Sequence, residues 1–128
     1  MAALCSAGAL IAAACASSAP QNELTGTHWR VATLGGETVG ERPPTIEFAG
    51  DRIVGTGGCN RYFGAYSLDG QAISVGAVGS TEMACEPPIM QRETSFFGAL
   101  SASRTYRRLG DTLILTADDG ATIVLRPA

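Results

Sequence analysis

The sequence predicts an α+β domain that is mostly β, with about eight short antiparallel strands and one amphipathic helix over about 88–102. Three observations carry this. Apolar residues alternate with polar ones in segments of four to seven residues, the period of a half-buried strand. Those segments are punctuated by Gly-Asp, Asp-Gly and Ala-Gly-Asp turns, drawn from 16 Gly in 128 residues, which supply the positive φ that tight hairpins need. One stretch alone breaks the period of two: Pro87 and Pro88 open a helix, and Ile89, Phe96, Phe97 and Leu100 recur at offsets of seven, eight and eleven.

In chain order the strands are His28–Leu34, with Trp29 and Val31 on one side, Thr45–Phe48, Arg52–Thr56, Tyr62–Leu68 and Ala72–Val75. After the helix come Tyr106–Leu109, Thr112–Thr116 and Thr122–Arg126. Ala49-Gly50-Asp51, Asp69-Gly70, Gly110-Asp111 and Asp119-Gly120 are the connectors, so consecutive strands form a meander. The helix lays its Phe-rich stripe on the concave face of the sheet. Each buried side chain there contributes about 1.5 to 3 kcal/mol.

The stripe contains one anomaly. Glu93 lies four residues after Ile89 and three before Phe96, where an unpaired carboxylate is costly. Its expected partners are the backbone N–H groups of the Gly57-Gly58-Cys59-Asn60 turn or the guanidinium of Arg61; the alternative is a position at the stripe's edge, open to solvent. Asn60 and Arg61 are candidate structural or interaction residues, Asn60 by bonding local backbone and Arg61 by meeting a partner.

The 45% hydrophobic and 16% charged composition, with net charge −3, gives one packed domain over residues 24–128. There is no Lys, and the nine Arg are scattered, which disfavours a phosphate-tracking surface and hence nucleic-acid binding. Ahead of the domain, the first charge is Glu23. Residues 1–14 read as a signal segment, apolar from Leu4 to Ala14 and ending in Ala12-Ala13-Ala14 just before Cys15, a set of small residues before a Cys that is similar to a bacterial lipobox. Lipidation of Cys15 is the expectation, with 15–23 as a polar linker and a mature chain of 114 residues (128 minus 14). The missing basic start suggests a start codon upstream of Met1. Simple secretion with cleavage near Ala19 is the alternative. Ala16 after the Cys directs such a lipoprotein to the outer membrane, facing the periplasm.

Removing Cys5 and Cys15 with the leader leaves two thiols, Cys59 and Cys85, which an oxidising periplasm would join; two buried free thiols is the other reading. Two Cys and the lone His28 offer three metal ligands without paired spacing, so no metal or cofactor is expected. Cys59 with His28 as base is the one nucleophile pair available, but a thiol after Gly-Gly with a single matching Cys is better read as half a disulfide. Gly55-Thr56-Gly57-Gly58 lacks the Lys-Ser/Thr ending of a phosphate loop and reads as a bend. Asp118 and Asp119, beside Gly120, read as turn residues. No catalytic residue is assigned.

Several of these segments together carry a family resemblance. Leu24-Thr25-Gly26-Thr27-His28-Trp29, Gly55-x-Gly57-Gly58-Cys59-Asn60-Arg61 with Gly64-x-Tyr66, Thr81-x-Met83-Ala84-Cys85 and Glu93-x-x-Phe96 resemble, in order and spacing across 24–126, the META domain of HslJ-like bacterial proteins. The resemblance implies a mostly β, partly open barrel clasping one helix, with a shape similar to pilotin lipoproteins. It also implies an envelope location and, in some members, links to heat shock and novobiocin resistance, without an established enzymatic activity. Two functions follow as expectations. One is a non-catalytic envelope lipoprotein, stress- or resistance-related, that binds another envelope protein. The other is a carrier of an acyl chain or similar apolar ligand between helix and sheet.

Overall fold

A computed structural model describes residues 22–128. The signal segment 1–14, Cys15 and the linker up to residue 21 lie outside the described residues. Ten strands and one helix follow in order: β1 (His28–Leu34), β2 (Glu37–Thr38), β3 (Thr45–Ala49), β4 (Arg52–Thr56), β5 (Arg61–Asp69), β6 (Ala72–Val75), β7 (Gly79–Ser80), α1 (Pro87–Ala102), β8 (Ser103–Leu109), β9 (Thr112–Ala117) and β10 (Thr122–Pro127). Eight of the strands, β1, β3, β4, β5, β6, β8, β9 and β10, form an antiparallel ring that closes where β10 pairs with β1. The two-residue strands β2 and β7 are additions on the ends of β1 and β5.

The expected barrel with one helix is therefore present, and its opening is confined to one seam. β6 meets β8 through a single register pair, Ala72 with Thr105, and the C-terminal turn of α1 lies against that gap, where Ser101 Oγ donates to the carbonyl of Gly76. The helix runs straight into β8 without a loop. Ser103 begins the strand while its N–H still caps Leu100 and its hydroxyl donates to Ala99 O at 2.9 Å, so β8 starts three residues earlier than the alternation suggested.

Alternation decides the interior. Trp29, Val31, Ile46, Phe48, Ile53, Tyr62, Tyr66, Ile73, Leu113, Leu115, Ile123 and Leu125 all point inward and are buried, with Phe96 and Leu100 of α1 completing the packing. Tyr62 sits edge-on to Phe96 with ring centroids 5.7 Å apart, and Phe97 tilts against Tyr62 at 5.3 Å, geometries that aromatic quadrupoles favour. Substituting Phe96, fully buried, by Ala removes this layer's centre.

One end of the barrel carries the Ala49–Asp51, Asp69–Gln71 and Gly110–Asp111 turns and both ends of the described chain. A short N-terminal turn plugs it. Asn22 Oδ1 accepts from the N–H groups of Leu24 and Thr25 at 2.9 and 2.8 Å, which places Leu24, wholly buried, in the barrel mouth. Thr27 then relays the polar ends, with its hydroxyl donating to Leu24 O and accepting from Trp29 Nε1 at 2.7 Å. The opposite end carries Gly35–Gly36, the Gly57–Asn60 bend, Ala117–Ala121 and the helix.

Buried phenols give this fold an alkaline limit. Burial, then the hydrogen bond to and the charge of Glu23, push the Tyr106 hydroxyl up to about 12, and burial holds Tyr62 still higher. Above about pH 10 the unfolded chain sheds protons that the folded barrel retains. Stability is thus whole below pH 10 and falls as pH rises from 10 to 12, with a slope approaching about 3 kcal/mol per pH unit when both phenols contribute. Urea midpoints at pH 8, 10 and 11 check this; a midpoint unchanged at pH 11 refutes it.

Candidate functional site

The most concentrated polar chemistry lies at the helix end of the barrel. β4 delivers the chain to Gly57 and Gly58. Gly58 has φ of +114°, a conformation glycine adopts at low cost, and the reversal aims two consecutive N–H groups toward α1. Gly57 is needed for a different reason. A Cβ there would lie 2.6 Å from Glu93 Cγ and 2.7 Å from its Oε1, so the close approach of helix and turn requires its absence. Gly57→Ala is expected to lose about 1 to 3 kcal/mol by overpacking, read as a lower urea midpoint.

Into this reversal Glu93 projects from the helix. Oε1 accepts from Cys59 N at 3.0 Å and Asn60 N at 2.6 Å, and Oε2 accepts from Asn60 Nδ2 at 2.6 Å. All three contacts are donors, which suits an acceptor-only carboxylate. Both Glu93 and Asn60 are only 3% exposed. The expected turn amides are thus its partners. The guanidinium of Arg61 is not: that side chain is exposed on the outer wall, and only its backbone joins the region, its N–H donating to Thr81 Oγ1 and its carbonyl accepting from Thr81 N at 3.0 Å. Nor does Glu93 sit at a solvent edge.

Asn60 extends the network to a third segment. Its Nδ2 also donates to Met83 O at 3.1 Å, while its Oδ1 accepts from Met83 N at 2.6 Å and Thr81 Oγ1 at 2.9 Å. The chain leaves β5 after the Thr81 N–H bond to Arg61 O, and at Met83 the Asn60 side chain serves as a surrogate backbone. The Cys59–Cys85 disulfide, with Cα atoms 6.1 Å apart, fixes the same segment two residues further on. Helix, bend and 81–86 segment therefore share one knot, in which the Asn60 side chain bonds local backbone and Cys59 is joined to Cys85 instead of standing as a free thiol. Cys59 is oxidised, while His28 stands at the far end of the barrel opposite Glu47, so the two do not meet. Asp119 Oδ1 accepts from Ala121 N at 2.9 Å, the expected turn role.

Two further features were not legible in sequence. On the outer flank of α1, a groove of about 700 Å³ runs between the helix and the β1–β2 and β9–β10 turns, with Ser95, Gly98 and Ala99 as its floor and Leu34, Val39 and Ile123 on its walls. Arg92 lies at its margin, donating to the carbonyls of Glu41 and Arg42 at 2.9 and 2.5 Å. The space between the Phe stripe and the sheet, where the alternative carrier reading would place a ligand, is occupied by Phe96, Phe97 and Tyr62. Secondly, three of the dispersed arginines gather on one wall, since ring closure sets β1 beside β10 at the edge of the β8–β9–β10 meander.

An eight-stranded antiparallel barrel, closed at one end by an N-terminal turn and at the other by a helix whose single buried carboxylate ties down a Gly-Gly-Cys-Asn bend, defines a class of small β-barrel domain. The chain belongs to the META domain family, whose pattern it matches over residues 22–128. No curated protein matches it. Among solved structures it is similar to an NMR structure of a protein from Burkholderia xenovorans, at TM-score 0.68 and 24% identity over 88% of this chain and 93% of that one. A second NMR structure gives TM-score 0.67 at 20% identity, covering 82% and 92%. A crystal structure of a DUF4847 family protein from Bacteroides vulgatus gives 0.62 at 14%, covering 82% and 94%. At these identities the likeness is one of fold.

Proposed function

We propose that this META-domain protein is a non-catalytic accessory factor of the bacterial envelope, related to stress or antibiotic resistance, held at the outer membrane through a lipid on Cys15 and binding another envelope protein. The observation that carries this reading is the fate of the Glu93 carboxylate. The buried acid best placed for chemistry spends both oxygens on the Cys59 and Asn60 donors, an arrangement that rigidifies a surface and leaves no free base. The Cys59–Cys85 pair supports an oxidising compartment, and no helix among the described residues is long and apolar enough to cross a membrane, so attachment would come from the leader.

The test uses the full chain in bacterial envelopes. Mass analysis is expected to find an acylated Cys15 as the new N-terminus, abolished by Cys15→Ser, and cross-linking in intact cells is expected to trap one envelope protein at a defined ratio. An unmodified Cys15 overturns the anchor, and exclusively lipid cross-links overturn the protein partner. The second reading, an apolar-ligand carrier, draws on the groove outside α1; recovery of a stoichiometric lipid from protein extracted in mild detergent would select it.

A further inference from the structure

Ring closure brings together, on one outer wall at the end where the chain enters the barrel, residues that the sequence holds far apart. β10 pairs with β1 so that Arg126 stands directly opposite Arg30. β9 pairs with β10 and β8 so that Arg107, Ile114 and Val124 form the adjoining row, and Leu109 follows Arg107 on the same outward face opposite Thr112. Arg30, Arg107 and Arg126 are exposed, Ile114 and Val124 half-buried, and Leu109 is 51% exposed. Arg108 is committed elsewhere, over the Trp29 ring and to Glu23 O.

Like charges placed directly opposite across two strands destabilise a sheet, and neither arginine of this pair has a carboxylate within 4.0 Å among the described residues. Among the described residues the one ion pair is Arg104 with Asp118 at 3.8 Å, at the other end of β8. The nearest carboxylates in register, Glu47 opposite His28 and Asp111 in the β8–β9 turn, do not come within 4.0 Å of these arginines, and Glu23 is taken by the Tyr106 hydroxyl. The wall thus combines unpaired cations with an exposed leucine and two half-covered aliphatics, on a protein whose net charge is −3. The complementary surface is a plane of anions above a shallow apolar layer.

We propose that this wall docks on the anionic phospholipid headgroups of a bilayer, with Arg30, Arg107 and Arg126 on phosphates and Leu109 at the acyl boundary. The proposal rests on the envelope reading above and adds an orientation to it. The chain enters the barrel at this end, so the leader would emerge beside the docked wall, while the Glu93 knot lies at the opposite end of the barrel.

The test uses the full chain with Cys15→Ser, so that no acyl group contributes, and vesicles of phosphatidylethanolamine mixed 3:1 with either phosphatidylglycerol or phosphatidylcholine. Binding to the phosphatidylglycerol vesicles is expected to be about tenfold or more tighter, and this preference is expected to vanish at about 0.5 M salt. Arg30→Glu with Arg126→Glu is expected to abolish the preference while leaving binding to the neutral vesicles unchanged. Arg52→Glu with Arg61→Glu, the same charge change on β4 and β5 away from the wall, is expected to alter it less than about twofold. Should the first pair melt below the parent, Arg107→Glu, beside Ile114, gives the same reading alone. Equal binding to both vesicles, equal losses in both double variants, or retention of an acidic protein or nucleic acid in place of the vesicles overturns the proposal. Acylation of Cys15 is measured separately. A chain without it that still prefers anionic vesicles overturns the anchor and keeps the docking wall, and an acylated chain without the preference does the reverse.

Discussion

Replacing Glu93 by alanine is expected to destabilise the barrel by about 4 kcal/mol, because the change strands the N–H groups of Cys59 and Asn60 and one proton of the Asn60 amide in a buried site. Each orphaned donor costs about 1 to 3 kcal/mol, and donors facing a charged acceptor lie at the upper end. Glu93→Gln separates this effect from lost volume. Its amide oxygen can take the two backbone N–H groups, but its NH2 then opposes Asn60 Nδ2, and flipping Asn60 to relieve that contact would break its bonds to Met83 N and Thr81 Oγ1. The expected loss is about half that of alanine. Urea unfolding of the three proteins measures both. A Glu93→Ala midpoint equal to the parent's would show that the knot contributes nothing to folding.

Breaking the Cys59–Cys85 link has the second-largest expected effect. The 26-residue separation gives about 3.5 kcal/mol of denatured-state restriction in the simple chain model. Reduction, or Cys59→Ser with Cys85→Ser, is expected to lower the melting temperature by that amount of stability, about 10 to 20 °C for a domain of this size. The two perturbations should not be independent. Cys59 contributes its sulfur to the bridge and its N–H to Glu93, so the combined variant is expected to lose less than the sum of the separate losses, as residues of one network do. Strict additivity would mean that bridge and carboxylate act on unconnected parts of the fold.

Local pattern carried most of the architecture because a strand's side chains alternate with fixed period and a turn's φ demands a particular residue. Trp29 and Val31, Ile46 and Phe48, and Leu113 and Leu115 announce an inward face without any knowledge of their partners. Gly50, Gly70, Gly110 and Gly120 occupy the expected turns, each at positive φ. Glu93 was legible as an anomaly for the same reason, a carboxylate on an apolar stripe, but its two possible outlets could not be separated, since choosing between turn amides and the Arg61 side chain requires knowing which face of β5 each presents. The Asn22–Thr27 plug escaped the pattern, because a single hydrogen-bonded turn has no period, and β7 and β2 are too short to show one.

By itself the sequence determined the elements and their inward faces, which depend on interactions within a few residues of chain. The tertiary structure alone decided what is adjacent across the ring: that Glu93 meets the bend some 33 residues before it, that the Phe stripe fills the space the alternative carrier reading assigned to a ligand, and that Arg30 faces Arg126. Register between distant strands is set by closure of the whole barrel, a global condition that no local window of residues contains.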